Sequence, residues 1–120
     1  MSLTVGVIGL GPMGGNIAGN LLKNKFDIVG YDIESERMSA LSELGLEKAK
    51  SAVEVSERAD VLATSLPNAG SLHAVIKDVL QHSKPGQILI ECSTLTVAQK
   101  LDAHKQLSTG EKILLDSPIS

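Results

Sequence analysis

The chain has 120 residues, 42% hydrophobic and 21% charged, which is the size and composition of one soluble domain with its own core. A net charge of -3 without a Lys/Arg run argues against nucleic acid as a partner, and no apolar run reaches the ~18 to 20 residues of a membrane span. Without a recognisable signal peptide the predicted location is cytoplasmic, and the single cysteine, Cys92, excludes an internal disulfide and a cysteine-based metal cluster.

The first predicted element is a buried strand that ends in a glycine-rich turn. The run from Thr4 to Ile8 is apolar and β-branched, and a helix is predicted from about Gly14 to Lys23. Between them lies the pattern GxGxxG, made by Gly9, Leu10, Gly11, Pro12, Met13 and Gly14.

Each glycine of this pattern has its own physical role. Gly9 permits the tight turn, Gly11 lets a pyrophosphate approach the backbone, and Gly14 lets the helix pack closely on the strand. The free amides and partial positive charge of the helix N-terminus favour phosphate. The turn from Gly9 to Gly14 is therefore predicted to bind the phosphates of a dinucleotide.

The second strand, from Asp27 to Tyr31, ends at a carboxylate. Asp32 lies 18 positions after Gly14, where the fingerprint expects an acid that accepts hydrogen bonds from the adenosine ribose. An anion there repels a 2′-phosphate, so NAD is the predicted cofactor. Arg37 keeps NADP possible, because a guanidinium that folds inward reaches a 2′-phosphate; the alternative is an Arg on the solvated side of its helix. The competing explanation of the whole pattern is a tight turn followed by an unrelated surface Asp.

The remaining elements alternate between helix and strand. The first four are a helix capped by Ser35 that reaches about Leu44 before Gly45, a strand at Leu46 to Lys50, a helix at Ala52 to Arg58 that follows a Ser51/Glu54 capping box, and a strand at Asp60 to Leu66 that ends at Pro67. An amphipathic helix through Leu72, Val75, Ile76, Val79 and Leu80 follows, and then a turn at Lys84 to Gly86. The last three are a strand at Gln87 to Glu91, a helix from Thr96 to about Leu107 and a strand at Lys112 to Leu115.

This alternation predicts an α/β fold with a doubly wound parallel sheet, Rossmann-like, in a single domain over residues 1–120. Ligands of such sheets bind outside the carboxyl ends of the strands. The residues that follow the strands should therefore line one crevice: Gly9 to Gly14, Asp32, Leu66 with Pro67, Ser93 with Thr94, and Ser120.

Four ordered segments resemble the β-hydroxyacid dehydrogenases, the family of the 3-hydroxyisobutyrate, tartronate-semialdehyde and 6-phosphogluconate enzymes. The segments are Val7-Ile-Gly-Leu-Gly-Pro-Met-Gly14, Ala59-Asp-Val-Leu-Ala-Thr-Ser-Leu-Pro-Asn68, Glu91-Cys-Ser-Thr94 and Asp116-Ser-Pro-Ile-Ser120. The single Asp after the second strand and the Glu-Cys before Ser-Thr are most similar to the 3-hydroxyisobutyrate group.

The resemblance implies hydride transfer between a β-hydroxy acid and the nicotinamide of NAD or NADP. It implies that Leu66, Pro67 and Thr94 lie around the nicotinamide ribose and ring, and that Ser120 helps to hold the substrate carboxylate. The plainer alternatives are packing for Leu66, a strand stop for Pro67 and a turn hydroxyl for Thr94. The two glycines that follow the serine in the family are absent after Ser120.

The resemblance also implies a second, all-helical domain that carries the general acid/base lysine and through which family members form homo-oligomers. No catalytic residue is therefore expected in these 120 residues, which are expected to be a fragment of a longer two-domain enzyme and inactive alone. The alternatives are a free-standing dinucleotide-binding or regulatory module without catalysis, and a methyltransferase that binds adenosylmethionine on the glycine-rich loop. The second alternative does not explain Leu66-Pro67 or Ser93-Thr94.

Overall fold

The computed structural model describes residues 3–66, 69–82, 86–91 and 113–116 of the chain. In these ranges strands and helices alternate in the order β1 (Thr4–Ile8), α1 (Pro12–Lys23), β2 (Asp27–Tyr31), α2 (Ser35–Ser42), β3 (Glu47–Lys48), α3 (Ala52–Arg58), β4 (Val61–Thr64), α4 (Ala69–His82), β5 (Ile88–Glu91) and β6 (Ile113–Asp116). No helix in these ranges is both long and apolar enough to cross a membrane.

The strands form one parallel sheet in the order β3-β2-β1-β4-β5-β6. Val7 of the central strand β1 pairs with Gly30 on one side and Ala63 on the other. The chain leaves β1 toward β2 and β3, and returns to the other side of β1 for β4. The order therefore reverses between β1 and β4, the place where open α/β sheets bind ligands. The predicted doubly wound architecture is confirmed.

Buried side chains form one cluster on each face of the sheet, because alternate strand residues point to opposite faces. One cluster joins the sheet to α3 and α4 and consists of Ile8, Val29, Ala49, Val55, Ala59, Leu62, Val75, Ile76 and Leu89. The other joins it to α1 and α2 and consists of Val5, Val7, Leu10, Ala18, Ile28, Leu46 and Ala63. Helices covering both faces explain why the inner strands β1, β4 and β5 are mainly apolar, whereas the edge strand β3 is not.

Helix α1 begins at Pro12, two residues earlier than predicted. The fixed φ of proline suits the first helical position, where a missing N–H costs no intrahelical hydrogen bond. The backbone N–H of Gly15 already donates to the carbonyl oxygen of Gly11 at 2.7 Å. The expectation of a start at Gly14 counted the glycine-rich turn as non-helical, whereas its second half is the first turn of the helix.

The predicted cap of α2 was wrong by one residue. Glu34, not Ser35, is the N-cap, and Ser35 is the first helical residue. The cause is Asp32, whose Oδ1 accepts from the Glu34 N–H at 2.8 Å. With Glu34 held in this way, its carbonyl oxygen accepts from the backbone N–H of Arg37 at 3.1 Å, the first hydrogen bond of the helix. The helix also ends at Ser42 instead of Leu44, and Gly45 then takes the left-handed φ of +114° that was expected of it.

The edge strand β3 is shorter than its predicted range from Leu46 to Lys50. The Leu46 N–H donates to the Leu41 carbonyl of α2, so it does not serve the sheet. Strand β4 likewise spans Val61–Thr64 instead of Asp60 to Leu66, although the N–H groups of Asp60 and Ser65 still donate to β1.

The short helix α3 has the predicted bounds and the predicted cap. Ser51 Oγ accepts from the Glu54 N–H at 3.2 Å. The return bond differs from a standard capping box, because Glu54 Oε1 accepts from the N–H of Lys50, one residue before the cap. The predicted helix from Thr96 to Leu107 lies outside the described residues.

Candidate dinucleotide-binding site

The turn after β1 is closed by neighbouring backbone. Gly9 has a φ of +94°, and its N–H donates to the Tyr31 carbonyl of β2 at 3.0 Å. A Cβ atom at Gly9 would lie 2.1 Å from the Ser65 carbonyl oxygen. Both the backbone angle and the space therefore require glycine, as the sequence pattern predicted.

Gly14 and Gly11 differ in what surrounds them. A Cβ at Gly14 would lie 1.8 Å from the Gly9 carbonyl oxygen, so glycine there lets the first turn of α1 lie against the loop. A Cβ at Gly11 would meet only the Arg37 guanidinium, at 3.4 Å, which is an ordinary contact. Neither the protein's packing nor a positive φ requires glycine at position 11, where φ is -67°. Its missing side chain leaves room on the cleft side of the helix N-terminus.

The N-terminus of α1 carries no side-chain cap. Gly11 is the N-cap residue and has no side chain to bond the first amides, and Pro12 follows it with no N–H. The partial positive charge of the helix end is thus presented to the cleft without a carboxylate or hydroxyl of the first turn to satisfy it. This is the arrangement that helix N-termini use for phosphate groups.

Asp32 is a buried carboxylate that ties two loops together. It is 7% exposed, and its Oδ2 accepts from the Leu10 N–H at 2.7 Å while its Oδ1 accepts from the Glu34 N–H at 2.8 Å. One oxygen thus holds the glycine-rich turn and the other holds the start of α2. A carboxylate accepts about four hydrogen bonds, so lone pairs remain for a ligand hydroxyl.

Arg37 is turned inward over the same cleft. Its Nη1 donates to Asp32 Oδ2 at 3.5 Å, and its Nε forms an ion pair with Glu34 Oε2 at 2.9 Å. The side chain is 44% exposed. Of the two orientations considered from the sequence, the described contacts match the inward one.

A cleft of about 780 Å³ opens along these groups at the carboxyl edge of the sheet. It extends from the glycine-rich turn across the end of β2 to helices α3 and α4. Its lining residues are Ile8, Gly9, Gly11, Pro12, Met13, Tyr31, Asp32, Ile33, Glu34, Arg37, Ala52, Ser65, Leu66, Ser71, Ala74 and Val75.

The predicted site residues fall into three groups. Those that line the cleft are Gly9, Gly11, Pro12, Met13, Asp32 and Leu66. Leu10 and Gly14 shape the turn without lining it: the Leu10 side chain is in the core and its N–H holds Asp32. Pro67, Thr94 and Ser120 lie outside the described residues, as do Cys92 and Ser93.

The prediction missed the wall contributed by α3 and α4. Ala52, Ser71, Ala74 and Val75 line the cleft, and Ile33 beside them is 89% exposed despite being apolar. The small size of Ala52, Ser71 and Ala74 was the only signal in the sequence, and small residues are also common on helices that pack closely. Within the described ranges no group of three or more His, Cys, Asp or Glu side chains is arranged to hold a metal ion.

A family model for the NAD binding domain of 6-phosphogluconate dehydrogenase matches residues 4–120. The chain belongs to this family of NAD-binding domains. The NAD-binding family accounts for the glycine-rich turn, the uncapped helix N-terminus and the buried Asp32 together, and the adenosylmethionine alternative is not retained.

Relatives of this NAD-binding domain match over nearly its whole length. A protein named probable mitochondrial 3-hydroxyisobutyrate dehydrogenase of Dictyostelium discoideum is 34% identical over 122 residues, which cover 99% of this chain and 38% of the relative. The mitochondrial 3-hydroxyisobutyrate dehydrogenase of Mus musculus is 33% identical over 119 residues, covering 97% and 36%. The structure of 3-hydroxyisobutyrate dehydrogenase of Mycobacterium tuberculosis with L-serine aligns with a TM-score of 0.95 and 29% identity, covering 100% of this chain and 41% of the other. The chain thus spans about two fifths of the length of these proteins.

Proposed function

We propose that this chain is the cofactor-binding domain of an NAD-dependent 3-hydroxyacid dehydrogenase, with a small β-hydroxy acid such as 3-hydroxyisobutyrate as substrate. The observation that carries the proposal is the cleft that Gly11 lines, between the uncapped N-terminus of α1 and the buried Asp32, with the Arg37 guanidinium beside both. Relatives named 3-hydroxyisobutyrate dehydrogenase that match nearly the whole chain support the substrate class.

In the proposed complex the pyrophosphate lies over Gly11 and the first turn of α1, where amides and the helix dipole stabilise its charge. Asp32 accepts hydrogen bonds from the adenosine ribose, for which its held position and remaining lone pairs suit it. The adenine occupies the apolar part of the cleft beside Ile33 and Val75. NAD, when bound, supplies the hydride acceptor.

The nicotinamide end of the proposed site lies toward Leu66, which lines the cleft next to the Gly9 turn. Pro67 and Thr94 are proposed to complete this end and Ser120 to hold the substrate carboxylate; these three assignments stay predictions from the family resemblance.

Proton transfer is proposed to depend on a lysine of a second, helical domain, so that residues 1–120 act as one domain of a longer, homo-oligomeric enzyme. The fraction of the relatives' length that this chain spans supports the division. Hydride transfer requires the substrate to be held and deprotonated against the nicotinamide. We therefore expect the chain alone to bind NAD and to show no dehydrogenase activity. The cytoplasmic location of the protein is a separate prediction from the sequence.

The test is calorimetric titration of the chain with NAD, comparing Gly11→Val with Gly19→Val. Both changes add the same side chain, at the N-cap of α1 for Gly11 and within α1 for Gly19. Gly19 is the control, because a Cβ there meets no heavy atom of a neighbouring element within 4 Å. We expect Gly11→Val to weaken NAD binding by about 100-fold or more, since about 1.4 kcal/mol corresponds to each tenfold and the pyrophosphate loses its contact surface. Gly19→Val should bind as the unchanged chain does. Equal affinity of all three proteins, each folded by its thermal melt, would refute the site.

A further inference from the structure

We propose that Glu34 determines cofactor specificity by engaging Arg37, which masks a latent site for the 2′-phosphate of NADP. The inference rests on the proposed function, in which Asp32 binds the adenosine ribose. It assigns a role to a residue that the glycine-rich fingerprint does not include.

The Arg37 guanidinium lies near both ends of the proposed adenosine site. Its Nη1 is 3.5 Å from Asp32 Oδ2, and it is also the nearest group to a Cβ built on Gly11. The guanidinium therefore lies between the carboxylate that would hold the ribose and the turn that would hold the pyrophosphate. A phosphate on the ribose 2′-oxygen would enter the space beside Asp32, within reach of this guanidinium.

Glu34 forms an ion pair with the Nε edge of the Arg37 guanidinium. Its Oε2 lies 2.9 Å from Arg37 Nε, the shorter of the two ion-pair contacts of this arginine. Glu34 is the N-cap of α2, yet its side chain makes no cap hydrogen bond, and its carboxylate is engaged with Arg37. The backbone of Glu34 is itself held by Asp32 Oδ1. Asp32, Glu34 and Arg37 thus form a closed ring with two negative charges and one positive charge.

The ring of Asp32, Glu34 and Arg37 interacts differently with the 2′-groups of NAD and NADP. The 2′-hydroxyl of NAD donates to a carboxylate and needs no cation. The 2′-phosphate of NADP carries negative charge and needs a guanidinium, most favourably through two parallel N–H donors. While Glu34 holds Nε, the ring presents a net charge of about -1 to that phosphate. Without Glu34 the pair Asp32 and Arg37 is neutral, and the Nε edge is free to bind a phosphate oxygen.

The experiment measures Kd for NAD+ and NADP+ with the chain and four variants at one fixed low salt concentration, because exposed charges are screened by salt. The variants are Glu34→Ala, Arg37→Ala, the double variant Glu34→Ala/Arg37→Ala, and the control Glu36→Ala. Glu36 is an exposed acid in the same first turn of α2, and it does not line the cleft. Its removal changes the net charge by the same amount without touching the ring.

We expect Glu34→Ala to lower the Kd for NADP+ by about tenfold, the effect of about one charge-assisted hydrogen bond to phosphate. In the Arg37→Ala background the same change removes only a repelling, solvent-exposed charge, so it should lower that Kd by about threefold or less. Glu36→Ala alone should stay within about twofold. A gain of the same size without Arg37, an equal gain in Glu36→Ala, or no gain at all would overturn the inference. The proposed function would still stand if the unchanged chain binds NAD+. Failure of the folded, unchanged chain to bind NAD+ would refute the proposed function and this inference together.

Discussion

Two aspartates hold the two ends of strand β1, and they differ in what else they face. Asp32 Oδ2 accepts from the N–H of Leu10, just past the carboxyl end of the strand, while Asp60 Oδ2 accepts from the N–H of Thr4 at its amino end. Asp32 also lines the cleft, whereas Asp60 does not. A carboxylate therefore bridges two chain segments at both edges of the sheet, but only the one at the carboxyl edge also faces the candidate cleft.

At the amino edge a buried side chain donates to the backbone at the end of a helix. Gln87 is 2% exposed, and its Nε2 donates to the carbonyl oxygens of Ser56 and Ala59 at 2.9 and 3.0 Å, at the end of α3. At the carboxyl edge, the N-terminus of α1 has no such side-chain partner. The two edges therefore differ in that a side chain satisfies the helix end at the amino edge, whereas the helix end at the candidate cleft has none.

The largest effect on stability is expected at the turn of the carboxyl edge. Gly9→Ala places a Cβ 2.1 Å from the Ser65 carbonyl oxygen at a φ of +94°, which combines a steric clash with backbone strain. We expect the free energy of unfolding to fall by about 3 kcal/mol or more, measured by urea denaturation. Retention of the unchanged chain's stability would show that the loop relaxes and that Gly9 does not fix the turn.

The comparison of the two aspartates is tested directly by Asp32→Ala and Asp60→Ala. Both should lower stability, because each leaves a backbone N–H without its carboxylate. Only Asp32→Ala should weaken NAD binding, by about 1 to 3 kcal/mol from the lost ribose hydrogen bonds, and it should weaken NAD binding more than NADP binding. Titration calorimetry of the folded variants measures this, and an equal loss for both cofactors would contradict the ribose role of Asp32.

A smaller effect is expected at the amino edge, from Gln87→Met. Methionine has a similar volume but cannot donate, so the carbonyl oxygens of Ser56 and Ala59 lose their shared partner. Because Gln87 Oε1 is itself buried with no hydrogen-bond partner among the described residues, part of the loss is offset. We expect the free energy of unfolding, measured by urea denaturation, to fall by about 1 to 2 kcal/mol, with NAD affinity unchanged. A change in NAD affinity would show that the two edges are coupled.

The smallest effect is expected at an exposed ion pair. Arg58 contacts Glu47 of β3 and Glu54 of its own helix, and the Glu47 and Arg58 side chains are 65% and 42% exposed. Glu47→Ala should therefore change stability by less than about 0.5 kcal/mol, the usual scale of solvated pairs. Thermal melts at low and high salt would check this, and a larger, salt-dependent loss would show that the pair holds the edge strand β3 in place.

The local parts of the fold were predictable from the sequence. The apolar pattern of β1, the glycines of GxGxxG and the Ser51 cap of α3 each lie within a few consecutive residues, so side-chain sterics and backbone angles were enough to recognise them. The alternation of strand and helix then permits few arrangements beyond the parallel sheet that is observed.

The start of α2 and the direction of Arg37 were not predictable in this way. Both depend on the position of Asp32, which is held by Leu10, 22 residues earlier in the chain. The wall of the cleft from α3 and α4 likewise exists only because α3 packs on β1 and β2 and α4 packs on α3. No local sequence pattern around Ala52 or Ala74 predicts that these residues line the cleft.

The sequence by itself determined where a glycine-rich turn precedes a helix and which strand is followed by an acid, because glycine's backbone freedom and the helix N-terminus are local properties. Only the tertiary structure decided that the Arg37 guanidinium lies beside Gly11 and that Gln87 donates to the carbonyl oxygens at the end of α3. Those contacts join groups from distant positions, such as Ser56 and Gln87, which are 31 positions apart in the chain, and they form only when the helices pack on the sheet.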